Sequence, residues 1–126
     1  MDDQARLLSE VKKSIAATIK VQIYIDGRLA NGPPFSQEVA LNAQKIRADS
    51  DLIHFLLIEN HLVAAETVIE ALDEAVIKTL DNLSAVLDQA IVSSFIINAT
   101  LGFAKTVLNA AEKINGIAAS RSGFSA

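Results

Sequence analysis

Residues 35–101 read FSQEVALNAQKIRADSDLIHFLLIENHLVAAETVIEALDEAVIKTLDNLSAVLDQAIVSSFIINATL, a run of 67 residues with neither glycine nor proline. Apolar residues recur through most of this run at steps of three or four, which is the period of an α-helix and not of a strand. Because the two strongest helix breakers are also missing, the run predicts long helices. Cap-type residues at 49–51 and 81–84 predict breaks, so we expect helices over about 36–48, 51–80 and 83–115.

The residues before this run predict one further helix and one loop. A helix is expected over about 3–25, and the glycines and prolines of 26–35 predict the loop that follows it. Within the helix, residues 19–25 alternate β-branched and polar side chains, which is also typical of a strand. A lone strand leaves its backbone groups unpaired, so helix is favoured and an intermolecular strand pair is the alternative.

The predicted fold class is all-α, an elongated bundle of three to four helices with long antiparallel C-terminal helices that assembles into an oligomer. The single domain is expected to span 1–117, with a flexible tail at 118–126. Residues 55–58 are apolar on more than one helix face, and a helix of that kind is typically the buried one.

Composition narrows the classes of partner. Hydrophobic residues make up 51% of the chain and the mean hydropathy is +0.33, which predicts apolar surface left over for a partner. The net charge of −4 argues against nucleic acid, because phosphate binding needs clustered cations. The charged residues of 1–13 leave no apolar core for a secretion signal, so a cytoplasmic location is expected. The longest uncharged segment, 89–104, is shorter than the roughly 20 residues of a spanning helix.

A regular seam predicts where helices meet. From Val76 to Ala111, apolar and small residues alternate steps of four and three, which is typical of a coiled coil or bundle. The neighbouring small and polar residues on the same helix would allow close backbone approach, and Asn98 would specify register. The predicted interface consists of Leu83, Leu87, Ala90, Ser94, Ile97, Asn98, Leu101, Gly102, Ala104 and Leu108.

Catalytic and metal-binding patterns are weak. His54 and His61 lie seven residues apart and are the best metal candidates, but a catalytic zinc site usually takes three protein ligands. The acidic series Glu66, Glu70, Asp73 and Glu74 has no Glu-x-x-His beside it. Its first three members are expected to share one helix face, which is interpreted as solvated. There is no nucleophile elbow or phosphate-binding loop, so neither an enzyme nor a cofactor is expected.

The sequence therefore favours a non-enzymatic structural or protein-interaction bundle that acts by self-association, with another helical protein as a further possible partner. Two alternatives remain open. One is a membrane-active protein that inserts segment 89–104, and the other is a helical binder of a metal or small ligand.

Overall fold

The computed structural model describes residues 2–92 and 99–125. In that part of the chain there are four helices and no strand. They are α1 (Asp3–Ala30), α2 (Phe35–Val63), α3 (Glu74–Ile91) and α4 (Leu101–Ser122). The all-α class is confirmed, and residues 19–25 are helical.

Helix α1 begins where the sequence predicts and ends later. The Asp2 carboxylate accepts a hydrogen bond from the Ala5 N–H at 2.7 Å, which caps the helix. The expected end at residue 25 is wrong, because the helix continues through Gly27 to Ala30. A mid-helix glycine costs about 1 kcal/mol relative to alanine. That cost is small against the packing of Leu29 on the core two residues later, and the chain leaves the helix at Gly32, where φ is +64°.

Helix α2 contains no break at 49–51. Asp49 and Asp51 were expected to cap a new helix, but their side chains reach neighbouring helices instead. Asp49 accepts a hydrogen bond from Gln22 of α1 at 2.8 Å. Ala48, one residue before this site, is fully buried, and its packing against the other helices favours an uninterrupted helix here.

The predicted helix over 51–80 is wrong between 64 and 73, a segment we call the connector. Its backbone and side chains bond to distant groups in place of a helical ladder. The Thr67 hydroxyl donates to the His61 carbonyl at 2.7 Å, the Glu70 N–H donates to the Arg121 carbonyl at 2.7 Å, and the Leu72 N–H donates to the Asp3 carboxylate at 3.0 Å. The β-branched residues 67–69 have modest helix propensity, which makes this exchange inexpensive.

Helix α3 starts after the connector, where Asp73 caps it by accepting from the Val76 N–H at 2.9 Å. The predicted break at 81–84 is wrong, because Ser84 is buried and bonds to side chains of α1 instead of capping a helix. The predicted helix over 83–115 is two elements in the described residues, since α3 ends at Ile91 and α4 begins at Leu101. The Thr100 hydroxyl accepts from the Phe103 N–H at 3.1 Å and caps α4.

Residues 118–122, predicted to belong to a flexible tail, form the last turn of α4. Ala118 and Ser122 are buried there. Gly123 then adopts a φ of +67°, and the Phe124 N–H donates to the Ala119 carbonyl at 2.9 Å. This is the left-handed termination that glycine allows without steric cost.

The core forms where α1 packs against α2, α3 and α4 and where α4 also packs against α2 and α3. Its largest fully buried side chains come from all four helices: Leu7, Val11, Val21, Ile25, Leu41, Phe55, Ile58, Leu62, Leu80, Leu87, Leu108 and Ile114.

Candidate interaction surface

The most unusual surface of the molecule is a line of large apolar side chains along the outside of α2. We call it the outer stripe. Each member has about half or more of its surface exposed to solvent, and the spacing of four and seven residues keeps all of them on one helix face. The outer stripe consists of Phe35 (79% exposed), Val39 (53%), Ile46 (71%), Ile53 (65%) and Leu57 (49%).

The opposite face of α2 is also apolar, and it is this inner face that the fold uses. Leu41, Ala48, Phe55, Ile58 and Leu62 are buried against the other helices. The interpretation of residues 55–58 as part of a wholly buried helix is therefore wrong. Two apolar faces are present, and only one of them is covered within the described part of the chain.

Further large apolar side chains are exposed outside the outer stripe. They are Ile19 and Ile23 on α1 and Leu56 and Val63 on α2. Several large apolar side chains exposed on one helix face mark interaction sites more often than isolated exposed residues do.

Charged residues of α2 point sideways, away from the outer stripe. On the flank beside α1, Lys45 donates to the Asp26 carboxylate at 2.7 Å. This hydrogen bond raises the pKa of Lys45. On the flank beside α4, the Arg47 guanidinium forms a two-pronged pair with Glu112, with both N–O distances 2.7 Å. The flanks are thus held to neighbouring helices by charge, while the outer stripe between them stays apolar.

Asp51 and Glu112 form a pair of carboxyl groups beside Arg47. Burial raises the pKa of Asp51 to about 7. The Glu112 carboxylate adds to this rise, through a hydrogen bond with Asp51 and through charge repulsion. The hydrogen bonds from Arg47 lower the pKa of Glu112. The buried Asp51 Oδ2 accepts no hydrogen bond from the described residues. When Asp51 is protonated, its carboxyl O–H can donate to Glu112 and so link the two groups.

The pair does not line either of two cavities in the described part of the chain. Two cavities of the described molecule have volumes of about 420 and 200 Å³. The larger is lined by Val76, Leu83, Lys113 and Ile117 among others, and neither includes Asp51 or Glu112. Arg47 also bonds to Gln44 and Asn109, so the arrangement resembles a polar link between α2 and α4. The sequence did not single out this cluster, because its members lie 65 residues apart.

Of the seven seam residues that the structure describes, four lie inside the chain. Leu87, Ala90, Ala104 and Leu108 have no exposed surface. A partner could reach these four side chains only if the helices separated. Leu83 and Leu101 are half-buried, Gly102 is exposed, and Ser94, Ile97 and Asn98 lie outside the described residues.

The two histidines contact an aromatic ring. His54 and His61 lie 5.7 and 5.5 Å from Phe124, measured between ring centroids. The Nε2 atom of His61 also lies 2.6 Å from the Ser122 carbonyl oxygen. Among the described residues, no three histidine or acidic side chains are close enough to hold a metal ion. The pair instead fastens the end of α4 to α2.

The acidic series is divided between structural roles. Glu70 pairs with Arg121 at 3.2 Å, and Asp73 caps α3, while Glu66 is exposed in the connector. These residues do not share a helix face, because Glu66, Glu70 and Asp73 precede α3.

Comparison with known proteins gives no further assignment, since no protein-family profile, curated protein or solved structure matches the chain. Within the described residues, no helix combines the length and apolar character needed to cross a membrane.

Proposed function

We propose that this protein is a non-enzymatic interaction module that acts by self-association, and that its outer stripe is the surface that associates. One observation carries the proposal. The inner face of α2 already supplies a buried core, yet five more large apolar side chains are displayed on its outside. A single domain does not need these side chains in water, whereas an interface does.

The sequence predicted self-association through the seam residues. The proposal retains self-association but assigns the contact to the outer stripe. The burial of Leu87, Ala90, Ala104 and Leu108 supports this move, because those side chains are already packed. The seam then serves the bundle itself. We include in the proposal that α3 and α4 run antiparallel, which is supported by Arg121 in the last turn of α4 bonding to Glu70 and Ala71, just before α3 begins.

Light scattering behind size exclusion tests the proposal, over a range of concentrations and with or without anionic liposomes. The unchanged chain should form a discrete oligomer that ignores the liposomes. Ile46→Lys should shift it to monomer, because a charge placed in an apolar contact must be desolvated without a partner. Ile46 is 71% exposed, so the helical circular dichroism should not change.

Val68→Lys is the matched control. Val68 is 83% exposed but lies in the connector, away from the outer stripe. An assembly that both variants disrupt equally would be driven by general hydrophobicity, and a chain that is monomeric at every concentration would contradict the proposal.

A lipid surface is the second candidate for the same side chains, since an exposed apolar helix face also suits an interfacial membrane helix. A monomer that binds the liposomes and loses binding in Ile46→Lys would favour it. Insertion of segment 89–104 stays a separate alternative, and residues 93–98 of that segment lie outside the described residues. Metal or ligand binding is less supported, because both histidines are engaged with Phe124.

A further inference from the structure

The larger of the two cavities is a groove between α3 and α4 with a volume of about 420 Å³. Small-molecule sites in proteins typically have volumes of about 300–1,000 Å³ and are lined mainly by apolar side chains with a few polar groups. Val76 and Leu83 of α3 and Ile117 of α4 form the apolar walls, and all three pack against the hydrophobic core. The groove therefore has the size and the walls of a site for a small apolar molecule.

Gly116 leaves room in this groove, which it lines from the interior of α4. Its φ is not positive, so the backbone there does not require a glycine. A Cβ atom at this position would meet no other atom within 4 Å, so packing within the described bundle does not require a glycine either. Glycine inside a helix is less stable than alanine. What the fold gains from Gly116 is open space in the groove.

The charged side chains that line the groove are both cations. They are Lys113 and Arg121, and no acidic side chain of the described residues lines it. This is the reverse of the whole chain, which has 15 acidic and 11 basic residues. Lys113 forms no hydrogen bond or ion pair with the described part of the chain. The groove thus presents positive charge beside an apolar surface, which is complementary to an apolar anion.

Arg121 has hydrogen-bonding capacity left for such an anion. Its side chain is only 22% exposed, and its Nη1 atom donates to the Glu70 carboxylate at 3.2 Å and to the Ala71 carbonyl at 3.1 Å. Glu70 balances part of its charge, but the Nε and Nη2 atoms have no partner among the described residues. These two atoms form an edge of the guanidinium that can donate to both oxygens of one carboxylate.

We propose that the groove binds a linear fatty carboxylate, with the carboxylate at Arg121 and the chain lying along Ile117 and Gly116 toward Lys113. Arg121 and Lys113 are eight residues apart on α4, which corresponds to about 12 Å along the helix. An extended chain of that length covers the apolar walls, and its burial supplies the affinity that the carboxylate alone would lack.

This site goes beyond the function proposed above. It uses no residue of the outer stripe and neither histidine, so it differs from a binder built on His54 and His61. Self-association and ligand binding can therefore be tested separately.

Isothermal titration calorimetry on the full chain tests the proposal, with decanoate below the concentration at which it forms micelles. One decanoate should bind per chain, and binding should saturate. Decanol has the same chain without the charge and should bind at least about tenfold more weakly, because it makes no ion pair. Decyltrimethylammonium should not bind, because its charge is repelled by Lys113 and Arg121.

Four variants locate the site. Gly116→Leu should fill the groove and weaken decanoate binding at least about tenfold, while the helix is kept because leucine is a better helix former than glycine. Gly27→Leu is the matched control, since Gly27 also lies inside a helix with no atom near a Cβ but lines neither cavity. Arg121→Gln should weaken binding by a similar factor. Because Arg121 also secures the connector, Lys113→Gln is included, which has no contact within the described chain to lose and should weaken binding a few fold.

Methyl NMR spectra identify the surface that decanoate contacts. Shifts at Val76, Leu83 and Ile117 that follow the calorimetric curve would support the site. Shifts confined to Ile46 and Ile53 would show binding to the outer stripe, which overturns the groove as the site. Equal affinities for decanol and decanoate would overturn the role of the cations. An unchanged affinity in Gly116→Leu, or no saturable binding of decanoate at all, would overturn the proposal.

Discussion

Helices α1 and α2 are nearly equal in length, 28 and 29 residues, and pack against each other, but they distribute their apolar side chains differently. The exposed side of α1 carries Ser9, Lys12 and Ala16 along its first half, and its exposed large apolar side chains are Ile19 and Ile23. The exposed side of α2 carries the outer stripe along nearly its whole length. The difference shows that burying one apolar face of α2 is enough to pack it in the described bundle, which leaves the second apolar face exposed.

The largest effect should come from substituting neighbours on the two faces of α2. Phe55→Ala should lower the free energy of unfolding by about 3–5 kcal/mol, because Phe55 is only 1% exposed and its loss leaves a cavity. Ile53→Ala, two residues away on the outer stripe, should change it by no more than about 0.5 kcal/mol. Urea unfolding, at a dilution where the chain is monomeric, measures both. Equal losses would mean that the outer stripe is part of the fold.

A smaller effect should separate the two charged flanks of α2. Arg47→Ala should lower the free energy of unfolding by about 1–2 kcal/mol, because it removes a two-pronged charged hydrogen bond and leaves Glu112 and Asp51 facing each other. Lys45→Ala removes an exposed pair with Asp26 and should leave the urea midpoint nearly unchanged. If Lys45→Ala lowered the urea midpoint more than Arg47→Ala did, the stabilising polar contact of α2 would be the one with α1 and not the one with α4.

The smallest effect should be a slope in the dependence of stability on pH. The folded chain holds a proton on Asp51 up to about pH 7, whereas the unfolded chain releases it near 3.8. Between those values the folded state binds more protons, so stability should fall as pH rises through this window and level off above about 7. Glu112, whose pKa is lowered, acts in the opposite direction but only at more acidic pH.

Asp51→Asn should remove most of this slope, because the amide cannot ionise and can still donate to Glu112. Thermal unfolding midpoints from pH 5 to 8 measure it, and Asp49→Asn makes the same chemical substitution on the same helix as a control. If Asp51→Asn kept the full slope, another group would have to be responsible for it.

The sequence was sufficient to predict that the chain is helical but not where most of the helices begin and end. Helical period and the absence of breakers predict that most of 35–101 is helical, as the structure confirms for α2 and α3. The breaks depend on groups far away in the chain. The carboxylates of Asp49 and Asp51 look like caps locally, yet they bond across to α1 and α4, while the connector is set by Asp3 and Arg121. No local pattern contains that information.

The outer stripe was visible in the spacing of Phe35, Val39, Ile46, Ile53 and Leu57 but could not be assigned. A helix that is apolar on two sides does not indicate which side the rest of the chain will cover. The choice follows from the packing of the inner face of α2 on α1 and α4, and the pairs formed by Lys45 and Arg47 match the rotation that this packing sets. The seam raised the opposite difficulty, because a well-packed interior and an interface between copies produce the same sequence pattern.

The connector has a consequence for how the protein is made. Its last residues are held both by Asp3, which bonds to Leu72, and by Arg121, which bonds to Glu70 and Ala71, so residues from opposite ends of the chain must both be present to secure it. On the ribosome, α1 and α2 can pair soon after they emerge, but the connector stays loose until the last turn of α4 has left the exit tunnel. At about 5–20 residues per second, the 51 residues between Glu70 and Arg121 correspond to a few seconds of synthesis. During that interval the nascent chain displays its unpaired apolar faces, and this is the stage at which chaperones would have the most to bind.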